Sequence, residues 1–235
     1  MTISFSGLLA GLACLFGAPV HLCLFILIKM GSPGPALYSA RRLGKDGAPF
    51  GLLKYRTMNV NAPPVVTTGF KMIVAQADPR VTYLGRWLRC GIDELPQLWN
   101  IVRGEMKWIG PRPDEAWMLP HYGSVCKQRL SVFPGITGLA QVLDARELPA
   151  ADGFAIDLWY IAHRSFWLDA WIVLVTPLFM AGWRTLGRGR LERLRCSPEF
   201  ERLRQCCDSE LSAAAVASPV LVDTSAAVAK MERGS

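Results

Sequence analysis

Residues 7–28 read GLLAGLACLFGAPVHLCLFILI, and the first charged side chain of the sequence is Lys29, just beyond them. Twenty-two such residues make a straight helix of about 33 Å, against a hydrocarbon core of roughly 30 Å. The run is too long for a secretory signal and lacks the basic lead-in of one. Pro19 stands near its middle, followed closely by His21. Proline removes one backbone hydrogen bond and clashes with the carbonyl four residues earlier, so Ala18-Pro19 is the expected break. Segment 1–31 is then either one kinked span or two half-helices that enter and leave by the same face. Lys29, Arg41, Arg42 and Lys45 place everything after it in the cytoplasm. No Lys or Arg precedes the run, so the pattern alone leaves both arrangements open.

A second apolar stretch, SFWLDAWIVLVTPLFMAGW at 165–183, is interrupted by Asp169 and Pro177 and crowded by Trp167, Trp171 and Trp183. It is short for a span and suits a helix lying at headgroup level. The chain as a whole has 235 residues, 51% of them hydrophobic, with 26 Lys+Arg against 19 Asp+Glu for a net charge of +7. So much apolar surface excludes wholesale disorder, and the scarcity of uncharged stretches excludes a polytopic transporter. Apolar and basic together point to a membrane-attached protein facing anionic lipid or anionic substrates. Seven cysteines with no C-x-x-C pair argue against a disulfide framework and against a zinc site. Cys206 and Cys207 read as plain thiols in preference to acylation sites.

Between the apolar ends lies a polar body, 32–187. Lys45-Asp46-Gly47 separates two stretches of strand character, ALYSARRLG and PFGLLKYRTM, which predicts a β-hairpin. Residues 59–68 are proline-rich and read as loop. Thr82–Arg89 reads as a short helix with Arg86 and Arg89 on one face. In IDELPQLWNIVRGEMKWIGPRP (92–113), Leu95, Leu98, Trp99 and Val102 follow helical spacing, which predicts one amphipathic helix from about Asp93 to Gly104 with Asp93 at its N-cap. FPGITGLAQV (133–142) reads as loop followed by a short strand or turn, and IDLWYIAHRSFWLD (156–169) as helix. From 188 to 235 the chain turns basic, then rich in Ala and Ser, and reads as a partly disordered tail. Its arginines come with no aromatic-basic module, so they suit anionic headgroups and not nucleic acid. The fold class is therefore α+β and mainly helical, with an apolar N-terminal segment, a small hairpin and interfacial helices.

Asp93-Glu94 is the sharpest chemical feature. Adjacent carboxylates at a helix start meet free N–H groups and the positive end of the dipole, which keeps them ionised. An ionised Asp can attack phosphorus, and a neighbouring carboxylate can hold Mg²⁺ together with substrate phosphate oxygens. Arg56, Arg80, Arg86, Arg89 and Arg112 supply guanidinium groups nearby in sequence, suited to phosphate. Against this stands a plain helix cap among solvated arginines. The residues taken alone favour that reading.

The blocks GSPGPALYSARRLGKDGAPFGLLKYRTM, DPRVTYLGRWLRCGIDELPQLWNIVRGEMKWIGPRP, PGITGLAQV and DLWYIAHRSFWLD closely resemble the bacterial sugar transferases, the small monotopic polyprenyl-phosphate phosphoglycosyl transferases. The resemblance covers about residues 10–187. It implies an enzyme at the cytoplasmic face of the bacterial inner membrane that moves a sugar-1-phosphate from a UDP-sugar to undecaprenyl phosphate, releases UMP and starts glycan assembly ahead of downstream glycosyltransferases. It further implies Asp93 as nucleophile, Glu94 as Mg²⁺ ligand, Arg112 at the nucleotide or its phosphates, and Lys54, Arg56 and Arg89 as basic residues lining the site; Arg86, on one helix face with Arg89, joins them as a candidate substrate-binding residue. It makes the N-terminal segment re-entrant, with Ala18-Pro19 in the place of the family's Ser-Pro break. Three departures stand out. The family's opening K-R-x-F-D stretch is absent, the link Arg89-Cys90-Gly91-Ile92 is one residue short, and Leu143-Asp144-Ala145-Arg146 replaces the usual Asn-Gly-Arg. The alternative from another class is an inactive membrane scaffold or lipid-binding partner in a polysaccharide assembly complex; the intact Asp-Glu pair speaks against it.

Overall fold

The apolar run folds as two helices, α1 (Phe5–Phe16) and α2 (Ala18–Gly31), in the computed structural model, which describes residues 5–60, 78, 80–183 and 187–217. The two are bent by 62° where they meet. Pro19 falls in the first turn of α2, where its missing N–H removes no helical bond. Gly17 shares the break: a Cβ there would lie 2.8 Å from the carbonyl oxygen of Ala13. Among the described residues no single helix is long and apolar enough to cross a membrane. Both outer ends of the pair are tied to the polar body. Trp108 Nε1 donates to the Ser6 carbonyl (3.2 Å) and Lys107 Nζ to the Ser6 hydroxyl (3.3 Å). At the other end Arg56 donates to the carbonyls of Pro33 (2.6 Å) and Ser32 (2.8 Å). Leu8, Leu12, Leu15, Phe16, Leu22 and Ile26 face outward and exposed.

The predicted hairpin is present as β1 (Leu37–Leu43) and β2 (Pro49–Tyr55), antiparallel with Tyr38 opposite Lys54 and Arg42 opposite Phe50. Its turn needs left-handed backbone at Asp46 (φ 56°) and Gly47 (φ 77°), which is what a D-G pair supplies. Strand alternation puts Arg42, Ala40 and Tyr38 on the same face as Lys54 and Leu52. Ala40 and Leu52 bury against α4 (Gln97–Val102) and Ala10 of α1. The helix expected at 82–89 is α3 (Tyr83–Leu88), capped by Thr82 Oγ1, which accepts from the Gly85 amide at 3.0 Å. Of the predicted 59–68 loop, 61–68 lie outside the described residues.

The continuous helix predicted from Asp93 is instead divided. Ile92–Glu94 form a 3₁₀ turn and α4 starts only at Gln97. Pro96 has no N–H to return to residue 92, and the bonds around it run three residues back, Leu95 to Ile92 (3.2 Å) and Trp99 to Pro96 (3.1 Å). After α4 the chain forms β3 (Lys107–Ile109), then α5 (Ser124–Lys127). The short strand expected within 133–142 is β4 (Gly135–Thr137), parallel to β3, and it comes early in the stretch, because α6 (Leu139–Val142) takes up the rest. The long helix predicted through 156–169 is broken at Arg164-Ser165 into α7 (Ala150–His163) and α8 (Phe166–Met180), because Ser165 caps α8 by accepting from the Leu168 amide (3.3 Å). α8 buries Leu168, Ile172 and Val175 and leaves Phe166, Trp167 and Leu174 exposed, so that one face packs on the body and the other is apolar and uncovered among the described residues.

The supposed tail begins with two packed helices, α9 (Arg188–Arg195) and α10 (Pro198–Ala217); 218–235 lie outside the described residues. Phe200 of α10 is fully buried with Leu139, Ile156 and Ile172. Cys207 and Leu211 join Leu43, Tyr122 and Phe154 in a second cluster. Glu210 accepts from the amides of Val125 and Cys126, both at 2.9 Å, so α10 caps α5 from outside.

Candidate active site

Glu94 is the centre of the charged cluster. Its Oε1 accepts from Lys54 Nζ of β2 at 2.7 Å and from Arg112 of the Gly110-Pro111-Arg112-Pro113 turn at 2.6 Å. Only 16% of the Glu94 side chain is exposed, against 18% for Lys54 and 34% for Arg112. Burial alone would push the Glu94 carboxyl up, but Arg112 and Lys54 override it and hold the group well below the usual carboxylate range. Asp93 is half-buried on the same turn and behaves oppositely. Burial raises it, Lys54 offsets that in part, and the Glu94 charge raises it further. Burial and Arg112 likewise draw Lys54 down despite Glu94.

These directions replace the helix-dipole account. Asp93 and Glu94 sit one turn ahead of α4, whose N-cap is Pro96, so the helix start does not hold them ionised. Side chains from β2 and from the Gly-Pro-Arg-Pro turn do so for Glu94, and Asp93 is left strained toward its neutral form. A poorly solvated carboxylate whose charge is only partly offset by Lys54 and Arg112 is a better nucleophile than one fully ion-paired.

The structure thus brings Asp93, Glu94, Lys54 and Arg112 together and sets the other expected residues apart. Arg56 is buried and engaged by the end of α2, adding a 2.8 Å bond to the Ser32 hydroxyl; it anchors the apolar helix pair instead of lining the cluster. Arg86 is exposed on α3. Arg89 turns to the Thr57 hydroxyl (3.4 Å), and the short link before Asp93 leaves it there.

Three further contributors escape a motif-based reading. Arg42 shares the hairpin face of Lys54, pairs with Glu115 at 3.0 Å, and feels both Arg112 and Glu94; period-two alternation was the available signal. Gly91 opens the carboxylate turn with φ 117°, and a Cβ there would lie 2.3 Å from Cε of Met180 at the end of α8. Asn100, fully buried on α4, receives the Leu53 amide (3.0 Å) and donates to the Gly51 carbonyl (2.8 Å) and to Glu105 (2.6 Å). It thereby locks α4 to the strand that carries Lys54. A buried polar residue on an otherwise apolar stripe was its signal. Asn100→Ala strands these partners without bonds, so it should cost about 1–3 kcal/mol and lower the melting temperature by roughly 2–4 °C for each. A thermal melt superimposable on that of the unaltered protein would refute this role.

Magnesium takes one or two carboxylates and completes its shell with substrate phosphates and water. Among the described residues no three His, Cys, Asp or Glu side chains converge, so an all-protein cage is not what this site offers. The Asp93-Glu94 pair fits the smaller requirement. Glu94 is the ionised member, and among the described residues its Oε2 has only a 3.4 Å contact to Arg112.

A family model described as bacterial sugar transferase matches residues 2–182. The exopolysaccharide production protein ExoY of Sinorhizobium fredii is 38% identical over 185 residues, covering 74% of this chain and 82% of that protein. A UDP-glucose:undecaprenyl-phosphate glucose-1-phosphate transferase of Caulobacter vibrioides is 42% identical over 171 residues, covering 68% of this chain and 61% of its own. An Escherichia coli protein of the same name is 37% identical over 177 residues, covering 72% of this chain and 37% of its own. α9 and α10 lie beyond the residues that the family model matches.

Proposed function

The chain belongs to the bacterial sugar transferase family, and from that premise we propose that it transfers a sugar-1-phosphate from a UDP-sugar to undecaprenyl phosphate through a covalent intermediate on Asp93, releasing UMP. The observation that carries this is the contrast within one dipeptide: Glu94 is fixed as an anion by Lys54 and Arg112, while its neighbour Asp93 is desolvated and raised. In the first half-reaction Asp93 Oδ attacks the phosphorus that bears the sugar. The bond from that phosphorus to the UMP oxygen breaks, and UMP departs with the electron pair. In the second, a phosphate oxygen of undecaprenyl phosphate attacks the same phosphorus and the Asp93 carboxylate leaves. Division into two steps lets donor and acceptor use the site in turn. Arg112 and Lys54 stand where they can meet diphosphate charge as it moves to the leaving group. Mg²⁺ held by Glu94 would supply further charge neutralisation on the diphosphate.

The site operates at the cytoplasmic face of the bacterial inner membrane in this reading, with residues 1–31 as a re-entrant hairpin and α8 along the headgroups. Support comes from the bend at Gly17-Ala18-Pro19 and from the anchoring of both Ser6 and Ser32 to the same polar body. Exposed Tyr83 and Trp87 on α3 and Trp167 and Trp183 around α8 suit headgroup level. The acceptor's phosphate can then reach Asp93 while its tail remains in lipid.

Two measurements test this reading. Membranes carrying the protein, Mg²⁺, undecaprenyl phosphate and a panel of radiolabelled UDP-sugars should yield labelled lipid and UMP; no product from any donor would favour the inactive scaffold. In a variant with its native cysteines replaced, Ser6→Cys and Ser32→Cys should both react with an impermeant maleimide from the cytoplasmic side. Labelling of Ser6→Cys only from the opposite side would mean a kinked span.

A further inference from the structure

Arg129 lies on the short 3₁₀ turn after α5, and each of its nitrogens is engaged. Nε donates to Asp157 of α7 at 2.7 Å, Nη1 pairs with Asp114, and Nη2 donates to the main-chain carbonyl of Arg112 at 2.8 Å. Its guanidinium also sits over the Phe154 ring, 4.8 Å from the centroid. Arg129 is 7% exposed and Asp157 2%. Asp114 is held from its other side by the Tyr122 hydroxyl (2.5 Å), and its carbonyl accepts from the Leu43 amide of β1 (2.8 Å). One buried cation thus ties α7, the hairpin and the Gly-Pro-Arg-Pro turn together, and among the described residues the main-chain carbonyl it bonds is that of Arg112, whose side chain meets Glu94.

We propose that Arg129, held by Asp157, is a positioning residue: by fixing the backbone of Arg112 it aims the Arg112 guanidinium at Glu94 and at the diphosphate of the donor. This rests on the transferase reading above. Two features make the arrangement a lever and not a generic core contact. Main-chain bonds fix the neighbours of Arg112, the Pro111 carbonyl accepting from the Gly135 amide (3.0 Å) and the Asp114 carbonyl from the Leu43 amide (2.8 Å), whereas the carbonyl of Arg112 itself is held by the Arg129 side chain (2.8 Å). The bond from Arg129 is charge-assisted and planar, so it restricts both the position and the tilt of the Arg112 carbonyl. A small displacement at the root of a long side chain grows toward its tip, and misplacement by about 1 Å at a reacting centre can cost about a hundredfold in rate.

The test is a double-mutant cycle on the full chain in membranes. Arg129→Lys keeps the charge but cannot span Asp157, Asp114 and the Arg112 carbonyl together. It should lower kcat/KM for the UDP-sugar by about 10–100-fold, and Asp157→Asn should do so by less. In an Arg112→Ala background, Arg129→Lys should add less than about threefold, because the group it aims is already gone. If the two losses multiply in full, Arg129 acts independently of Arg112 and the proposal fails. A second readout needs no turnover: hydrogen exchange in Arg129→Lys should quicken in peptides covering 109–114 and stay unchanged in those covering β2 and α4, which Arg129 does not touch. Unchanged exchange at 109–114, or faster exchange throughout the body, overturns the proposal. Failure of the transferase reading would be visible separately, as an unaltered protein without product, and the exchange result would still judge Arg129.

Discussion

Asp93→Asn is expected to abolish sugar-phosphate transfer and, at neutral pH, to raise the melting temperature. The catalytic half follows from losing the only oxygen nucleophile proposed to carry the phosphosugar; a fall of at least ~10³-fold is the scale for removing a covalent nucleophile. The stability half follows from the direction of its pKa. Burial raises the Asp93 carboxyl above its ordinary value, Lys54 only partly opposing, and Glu94 adds repulsion. A folded-state pKa above the unfolded one means that the native state favours the protonated form. The stability this confers is fully present below the unfolded pKa and is lost as pH rises through the folded pKa. At neutral pH the ionised Asp93 therefore weighs against the fold, and a neutral isostere removes that weight. The gap in melting temperature between variant and parent should close as pH falls toward the ordinary carboxylate range. An inactive variant that melts lower than the parent at neutral pH would contradict this account of Asp93, and a variant with normal turnover would remove it as nucleophile.

Such opposition between adjacent residues could not be read from the sequence, where Asp93 and Glu94 look alike. What local pattern reveals here is what local physics controls. The D-G pair specifies the hairpin turn, Thr82 specifies the start of α3, and Ala18-Pro19 marks the bend, because each acts within a few residues of itself. The contents of the site depend on longer connections. Lys54 meets Glu94 across 40 residues, Asn100 reaches the edge of β2 across 47, and β3 pairs with β4 over three residues each. No periodicity records such contacts. Arg56 shows the converse. Its type and place suit a phosphate site, yet the free carbonyls ending α2 are closer, and it serves those. The break before α4 was within reach, since Pro96 stands in the predicted helix. Apolar spacing at Leu95, Leu98, Trp99 and Val102 outweighed it because that spacing continues correctly across the break.

Glu94→Gln should also slow transfer severely but shift stability the other way, lowering the melting temperature. Lys54 and Arg112 converge on Glu94 Oε1 at 2.7 and 2.6 Å, and a neutral amide leaves two poorly solvated cations facing each other. Unpairing a fully buried ion pair costs about 3–5 kcal/mol. Arg112 is one-third exposed, so a loss of about 2 kcal/mol is the better scale, or ~4–8 °C for a chain of this size. The sign with pH is also reversed relative to Asp93. Although burial opposes it, the paired cations hold the Glu94 carboxyl below its ordinary value. Its stabilisation is therefore present above the unfolded pKa and lost as pH falls through the folded one. The deficit of the variant should be constant near neutrality and vanish only in strong acid. Activity should fall by roughly 10²–10³-fold, because both the aim of the cations and the proposed Mg²⁺ ligand are lost together. Glu94→Asp separates these contributions. It restores the charge, and with it most of the melting temperature, but draws the carboxylate back by one methylene. Recovery of stability without recovery of rate would mean that Glu94 acts through its position toward the substrate, and full recovery of both would reduce its part to that of a counter-ion.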